Sequence, residues 1–381
     1  MNQNLMVAAK RLENWMVQKA LPFWSTRGIN PVFGNSVERF SADGEVDTQA
    51  NIRMLVQSRQ IFAFAAANQM GWLENGEKVV AGIVDFIAKF GRQPSGEGYV
   101  HALAADHSVI NPKLDLYDHA FFLLACAWRY RTLGDPQALA EAEATITLLD
   151  RSFAHHCGGW SEGDYVTHRR RQNPHMHLFE AFMALFAATG QQQWLTRAEQ
   201  MFNLFQTHFF DSQNNVLLEF FNEDWTPLNN SEGEIVEPGH MMEWVWLLRW
   251  YESLTGQDIS YYADAMYSRA AEIGIAPTGV LYDEVNRYGE IIKATKRCWP
   301  MTEYIKASIM QARAGVKSRE ENAANGINAL MKYYLTASSP GAYIDQLDES
   351  DQVRIAVAPA STLYHLVGAC IEVSRYLHDK P

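Results

Sequence analysis

Apolar residues recur at helical spacing along almost the whole chain, and polar, glycine-rich stretches interrupt them at regular intervals. The pattern predicts twelve helices, over 4–20, 47–72, 76–91, 115–133, 136–154, 173–189, 193–209, 238–255, 259–273, 300–314, 318–336 and 358–377. Start and stop signals frame several of them. Asn75 precedes 76–91, Gly134-Asp135-Pro136 separates two neighbours, and Gly190 closes 173–189. Two kinds of connection alternate. TLGDPQAL, ATGQQQWL and LTGQDISY read as one tight turn used repeatedly. The opposite connections, such as 92–114, 155–172, 210–237 and 276–299, are long and rich in Gly, Asn and aromatic residues. Within them NVLLEFFN and TGVLYDEV alternate as strands do, which predicts short hairpins.

Twelve helices with short turns on one side and long loops on the other predict an all-α fold. The expected architecture is an (α/α)6 barrel, a toroid of six helix pairs with the second helix of each pair inside. Short β-hairpins would build up one face. A pair count of six and the lack of a polar capping repeat favour a closed ring over an open solenoid. No Pro/Gly/Ser-rich linker divides the chain, so 1–381 reads as one domain. A second regularity lies on the first. Arg59, His119, His177, His240, Glu303 and His365 recur about every 60 residues. Each sits where a loop hands over to an apolar segment, so the series predicts polar groups gathered around one mouth, on the face whose loops carry function.

Composition narrows the field. The net charge is −12 with no long basic run, which excludes a surface that tracks nucleic-acid phosphates. No apolar run reaches membrane-spanning length, and the N-terminal stretch lacks the uninterrupted apolar core of a signal peptide. Cys126, Cys157, Cys298 and Cys370 form no CxxC or zinc pattern and read as reduced thiols of a cytoplasmic protein, monomer or homodimer. Abundant Trp, Tyr and Phe suit a large core and also a pocket that stacks on a sugar ring.

The candidate chemistry is proton transfer. His240 and Glu243, in EPGHMMEW, are three apart and share a helical face, so the carboxylate can raise and orient the imidazole. Asn173, His177 and Glu180 share a face in QNPHMHLFEAF, whereas His175 points elsewhere. The cluster contains no HExxH arrangement, and no metal is assigned to it. His365 is a polar mark on the last apolar helix. A second imidazole opposite His240 would complete an acid/base pair. Arg59 is a cation on an otherwise apolar helix and needs a polar partner or an anionic or polyhydroxyl ligand. His119 is read similarly, Trp299 and Glu303 add a stacking face and a carboxylate, and Tyr99 lies in a loop that could reach the mouth. No GxGxxG, Walker or GxSxG motif is present, so redox and phosphoryl transfer are disfavoured and no cofactor is assigned.

NPHMHLFEA, EPGHMMEW, WPMTE, QSRQIF and the C-terminal YH resemble the N-acylglucosamine 2-epimerase superfamily, over nearly the whole chain. The resemblance implies an (α/α)6 barrel and cofactor-independent isomerisation or epimerisation of a sugar. By motif, His240 and His365 match the family's two general acid/base histidines, and Glu243 matches the carboxylate partner of the first. Arg59, Asn173, His177 and Trp299 match its sugar-binding positions. Cellobiose epimerases resemble one another in a Trp shortly before the C-terminal His. VAPASTLYH has none, and YDHAF is more similar to the mannose isomerase and sulfoquinovose isomerase group, of which the sulfonate sugar is disfavoured because His168 to Arg171 is the one cationic cluster in the loops. The expected reaction is therefore D-mannose to D-fructose, with D-lyxose to D-xylulose as a second pair. It would run through a cis-enediolate with His365 as base, His240 with Glu243 as acid, and Arg59 stabilising the developing oxyanion. The alternatives are a 2-epimerase (mannose/glucose or N-acylglucosamine/N-acylmannosamine), an inverting glycosidase using Glu243 and Glu303, and a non-catalytic sugar-binding toroid.

Overall fold

The computed structural model describes residues 2–41 and 43–378. Six helices form an inner ring: α3 (Met54–Gln69), α5 (Leu116–Leu133), α7 (Gln172–Thr189), α9 (Pro238–Thr255), α11 (Trp299–Arg313) and α13 (Ala360–His378). Each packs on the next, and α13 packs back on α3. Outside them lie α4 (Gly76–Phe86), α6 (Pro136–Phe153), α8 (Gln192–Leu204), α10 (Ser260–Gly274) and α12 (Arg319–Tyr333), each against the inner helix before it. The sixth outer position is filled from the N-terminus. There α1 (Gln3–Trp15) packs on α12 and α13 and continues through a π turn into α2 (Leu21–Thr26). The architecture is the expected (α/α)6 barrel. The first helix runs about a turn and a half beyond its predicted end.

The two layers differ as their sequences require. In α3 every residue from Met54 to Ala67 is buried, as in a helix with neighbours on all sides. In α4 the buried residues are Gly76, Val79, Val80, Ile83 and Phe86, one stripe at helical spacing. The short inner-to-outer turns end on left-handed glycines, with φ of 64° at Gly134, 69° at Gly190 and 71° at Gly256. That conformation excludes a Cβ at little cost only for Gly, and it explains why the three turn sequences look alike.

Small sheets ring the other face. A two-residue strand leads into most inner helices: Ile52–Arg53, Arg170–Arg171, Ile235–Val236, Lys296–Arg297 and Ala358–Pro359. Each pairs with a strand from a long loop. The predicted hairpin segments NVLLEFFN and TGVLYDEV supply Val216–Leu217, Phe220–Phe221 and Glu284–Asn286. The predicted helix 47–72 starts late, at Met54, because Ile52 and Arg53 are drawn into pairing with Leu103 and Ala102. Ring closure is tied by the strand Arg39–Phe40 against Ala358–Pro359 and by Trp24 Nε1 donating to Gly341 O at 3.1 Å. Among the described residues, no helix is long and apolar enough to cross a membrane.

Candidate active site

The strand–helix junction sets a common register for the inner helices. The sixth residue is Arg59 in α3, Phe121 in α5, His177 in α7, Glu243 in α9 and His365 in α13. Glu303 is the fifth in α11. These side chains form one layer across the lumen. Arg59 lies 4.1 Å from the Phe121 ring centroid, and Phe121 lies 4.3 Å from His177. Ligand atoms of His177, Glu180 and Glu243, and of Glu243, Glu303 and His365, fall within 4.8 Å of one another in each group. Five of the six periodic marks read from the sequence thus face the lumen.

His119 does not, and neither does Tyr99. His119 is the fourth residue of α5, pointing away from the lumen. Its Nδ1–H donates to Asp115 O at 2.7 Å, and Nε2 accepts the Tyr99 amide at 3.3 Å. His175, fourth in α7, does the same with Arg171 O (3.2 Å) and the Trp160 amide (3.1 Å). Gln57, fourth in α3, accepts the Ser36 amide at 2.8 Å. The device ties a long loop to each of α3, α5 and α7, so His119, with both ring nitrogens on backbone groups, is a loop anchor and not a sugar contact. The Tyr99 ring packs on Phe122 at 3.8 Å, in the outer layer. On α5 the mouth-facing polar group is instead Tyr117, two positions earlier.

Around Trp299 stand the two imidazoles, with ring centroids 5.1 Å (His240) and 5.4 Å (His365) away. Gly239 permits this placement, since a Cβ there would come within 2.6 Å of the Trp299 ring. The imidazoles have opposite environments. Burial works against a proton on His240. Glu219 and then Glu237 outweigh it, and the ring's pKa is raised to about 9. Both Glu219 oxygens lie 3.0 Å from Nδ1, and Glu237 is 3.9 Å away. On the far side, Nε2 faces the Asn173 side-chain amide at 3.3 Å, whose otherwise unpartnered oxygen is the atom that accepts from an imidazolium Nε2–H when turned toward it. For His365, burial dominates and pulls the pKa to about 3, with Arg59 and Lys306 opposing the attraction of Glu303. Its Nδ1 bonds Glu303 Oε1 at 2.8 Å. Glu303 itself stays ionised: burial works against its charge, but the Lys306 ammonium 2.7 Å from Oε2 and the His365 hydrogen bond together outweigh it. His240 is therefore an imidazolium at neutral pH, and His365 a neutral ring whose Nε2 is left as a base.

Three sequence-based roles change. Glu243 does not partner His240, whose carboxylate is Glu219. At i+3, Glu243 reaches down the helix into the lumen layer, where neither of its oxygens has a hydrogen-bond partner. Burial and the neighbouring Glu303 push its pKa well above the usual range, so it carries a proton. Glu180 sits below His177, donor-bound by Tyr364 Oη at 2.6 and 2.5 Å and paired with His177 Nδ1 at 3.1 Å. Glu180 and Glu303 support imidazoles and present no free oxygen to a sugar. Arg59 donates to Tyr117 Oη at 2.8 Å and Ser361 O at 3.2 Å, and its Nε is unpartnered. Among the described residues no carboxylate ion-pairs it.

Glu219, Tyr117 and Lys306 escaped the sequence reading as site residues. Glu219 left a signal, a lone acid inside the apolar run Val216–Phe221. It is fixed by Gln172, whose Nε2 reaches Oε2 at 3.0 Å while its Oε1 takes Trp244 Nε1 at 2.8 Å. Among the described residues four groups of ligand-type atoms could hold a metal by spacing; His155 with His156 and Cys157 lies in the loop before α7, and three lie at this site: His177 with Glu180 and Glu243, Glu243 with Glu303 and His365, and His240 with Glu219 and Glu237. In each of these three, the imidazole Nδ1 is already bonded to a carboxylate. Glu243 and Glu303 approach within 4.8 Å, too close for the water of an inverting glycosidase, which needs roughly 6.5–9.5 Å.

An (α/α)6 barrel with an imidazolium and a neutral imidazole flanking one indole defines a proton-transfer enzyme. The chain belongs to the N-acylglucosamine 2-epimerase family, whose model matches residues 34–369. A protein named mannose-6-phosphate isomerase from Rhizobium meliloti is 32% identical over 391 residues, covering 99% of each chain. A D-mannose isomerase from Marinomonas mediterranea is 26% identical, covering 95% of this chain and 96% of that one. A crystal structure of D-mannose isomerase superposes with a TM-score of 0.87 at 23% identity, over 96% of this chain and 98% of that chain. That last likeness speaks to the fold.

Proposed function

We propose that the protein is an aldose–ketose isomerase interconverting D-mannose and D-fructose, with D-lyxose and D-xylulose as a second pair. The observation that carries this reading is the opposite protonation of His240 and His365 about Trp299. Two titratable groups pushed apart by their surroundings mark an acid and a base. His365 Nε2 takes the C2 proton of the open-chain aldose. The electron pair moves into a C1–C2 double bond, giving a cis-enediolate. His240 donates to the carbonyl oxygen and serves the ring-opening step in the same way. His365 then returns the proton to C1 while the O2 proton passes back to the neutral His240, which leaves the C2 carbonyl of the ketose and restores both groups. Arg59, with its unpartnered Nε, stabilises the enediolate oxygen, and protonated Glu243 donates to a hydroxyl. Asn173, His177 and Tyr117 hold the remaining hydroxyls, and Trp299 stacks on the sugar.

The substrate is an unphosphorylated sugar. Arg171 is held by Glu162 at 2.6 Å, Arg297 by Glu237 at 2.7 Å and Asp283 at 3.1 Å, and Lys306 by Glu303 at 2.7 Å. Arg53 is bonded to Glu38. Of these cations Arg59 alone has no carboxylate partner among the described residues, and it lies in the lumen layer among aromatic rings. A phosphate dianion would face carboxylates instead of open cations.

The same pair would serve a 2-epimerase if His240 delivered its proton to C2 from the opposite face. The family name keeps that reading open, and the mannose isomerase relatives favour isomerisation. Incubation with D-mannose in D₂O, followed by NMR, separates them. Fructose carrying deuterium at C1 is expected. Glucose as the main product would make the protein an epimerase. No exchange with mannose or lyxose would remove catalysis from the reading.

A further inference from the structure

At the end of the ring remote from the imidazole pair, the C-terminal halves of the inner helices enclose a cavity of about 330 Å³. Phe62, Trp128, Trp246, Trp250 and Tyr364 wall it, and Lys306 and Glu180 close its inner end. Arg131, Arg313 and Arg375 stand at its rim with Glu372. Lys306 is matched by Glu303 at 2.7 Å, so the excess lies at the rim, where three guanidinium groups meet one carboxylate, Glu372, 4.0 Å from Arg375, in a chain of net charge −12. Arg131 lies 5.2 Å over the Trp128 ring, and Arg375 is near enough to oppose its charge.

Cations at helix C-termini also answer the helix dipole, which is the plainer reading. It does not account for the pattern here. The inner helices α3, α7 and α9 end without a basic residue in the last turn, and the arginines of α5, α11 and α13 converge on one cavity. Nor does it account for the open room. Gly368 lies inside α13 facing this cavity, and a Cβ added there would meet nothing within 4 Å. A helix-interior Gly costs roughly 0.5–1 kcal/mol relative to Ala. Filling the space would stabilise the ring, yet Gly368, Ala127 and Ala184 leave it empty.

We infer that this rear cavity is a second binding site, for a phosphorylated monosaccharide. The sugar ring would lie against the tryptophan faces, with its phosphate oxygens among Arg131 and Arg375. Guanidinium forks match phosphate geometry, indole faces match the C–H face of a sugar, and the volume suits a small ligand.

The test is calorimetric titration of the full chain with fructose 6-phosphate, fructose and inorganic phosphate. Saturable binding of fructose 6-phosphate is expected, at least about tenfold tighter than either of the others. Gly368→Phe, which fills the cavity, and the double variant Arg131→Ala/Arg375→Ala should each weaken it by about tenfold or more. Circular dichroism and melting verify that both variants fold. The double variant, altered only at the rim, keeps the test valid if Gly368→Phe does not. Absence of saturable binding, equal binding of inorganic phosphate, or binding unchanged in the variants would each overturn the assignment. The readout is binding and not turnover, so it stands apart from the isomerase proposal.

Discussion

Replacing Glu219 by Gln tests the acid–base assignment most directly. The substitution keeps the shape of the side chain and removes the charge held 3.0 Å from His240 Nδ1. In the intact site, burial lowers the His240 pKa, and the two carboxylates then carry it from 6.5 to about 9. That net rise corresponds to roughly 3 kcal/mol in favour of the imidazolium, at about 1.4 kcal/mol per pH unit. Glu237 remains 3.9 Å away, so part of the effect survives. Glu219 is nearer and supplies both charge and hydrogen bond, so at least half of the rise should go, about 1–2 pH units. The acid form of His240 is present below its pKa, so the wild-type kcat/KM should fall as pH rises through about 9. In Glu219→Gln that alkaline limb should move toward neutrality, with activity largely recovered near pH 6. Stability follows the same sign. A raised folded-state pKa stabilises the fold fully below 6.5 and loses that contribution as pH rises through about 9. The variant should therefore melt lower than wild type at pH 6, with the gap closing toward pH 10. The assays are the pH profile of kcat/KM for mannose, NMR titration of the His240 ring and thermal melts. A uniform loss of activity with the alkaline limb unmoved would refute the reasoning, because something other than Glu219 would then hold the proton.

Further substitutions separate chemistry from support. His240→Ala and His365→Ala should each lower kcat by at least about 10²-fold with the helical circular dichroism intact, and near-native turnover in either would remove that residue from the mechanism. Arg59→Lys should depress kcat as well as raise KM, because an ammonium cannot reproduce the fork aimed at a developing oxyanion; a change in KM alone would make Arg59 a ground-state clamp. His119→Ala should cost about 1–3 kcal/mol in denaturant melts, since it orphans the buried Tyr99 amide and removes one of two donors to the Asp115 carbonyl, while KM for mannose stays near wild type. Chelation with EDTA should leave turnover unchanged, and recovery of lost activity by added metal would redirect attention to His177, Glu180 and Glu243.

The ring itself was legible because its signals are local. Inner helices are apolar on every side, outer ones on a stripe, and three turns end on the same left-handed glycine. Where the reading slipped, a tertiary partner decided the outcome. The segment 47–53 joins the apolar run from Met54 without a Gly or Pro to break it, but Leu103 and Ala102 capture Ile52 and Arg53 into a strand. Glu219 lies between the short strands Val216–Leu217 and Phe220–Phe221, 21 residues before His240, and meets it only after folding. Glu243, at i+3, was the partner a helix alone could offer. Lys306 carries no motif that sets it apart in the sequence, yet it is buried against Trp246 with its ammonium on Glu303.

The spacing of about 60 residues marks the start of each inner helix, not one face of it. A shift of two residues turns a side chain by roughly 200° on a helix. His119 and Tyr117 are two apart, and they face opposite ways. The fourth residue of α3, α5 and α7 looks outward and fixes a loop through Gln57, His119 and His175. The sixth looks inward and carries Arg59, Phe121 and His177. One histidine per repeat is therefore not one histidine per site. A His at the fourth position spends both nitrogens on backbone groups and has none left for a substrate. A His at the sixth has a carboxylate from its own helix or a neighbouring one on Nδ1, as His177 has Glu180 and His365 has Glu303, and its Nε2 is turned toward the lumen. Counting from the strand that precedes each helix, and not from the polar residues themselves, sorts loop anchors from candidate chemistry in this ring.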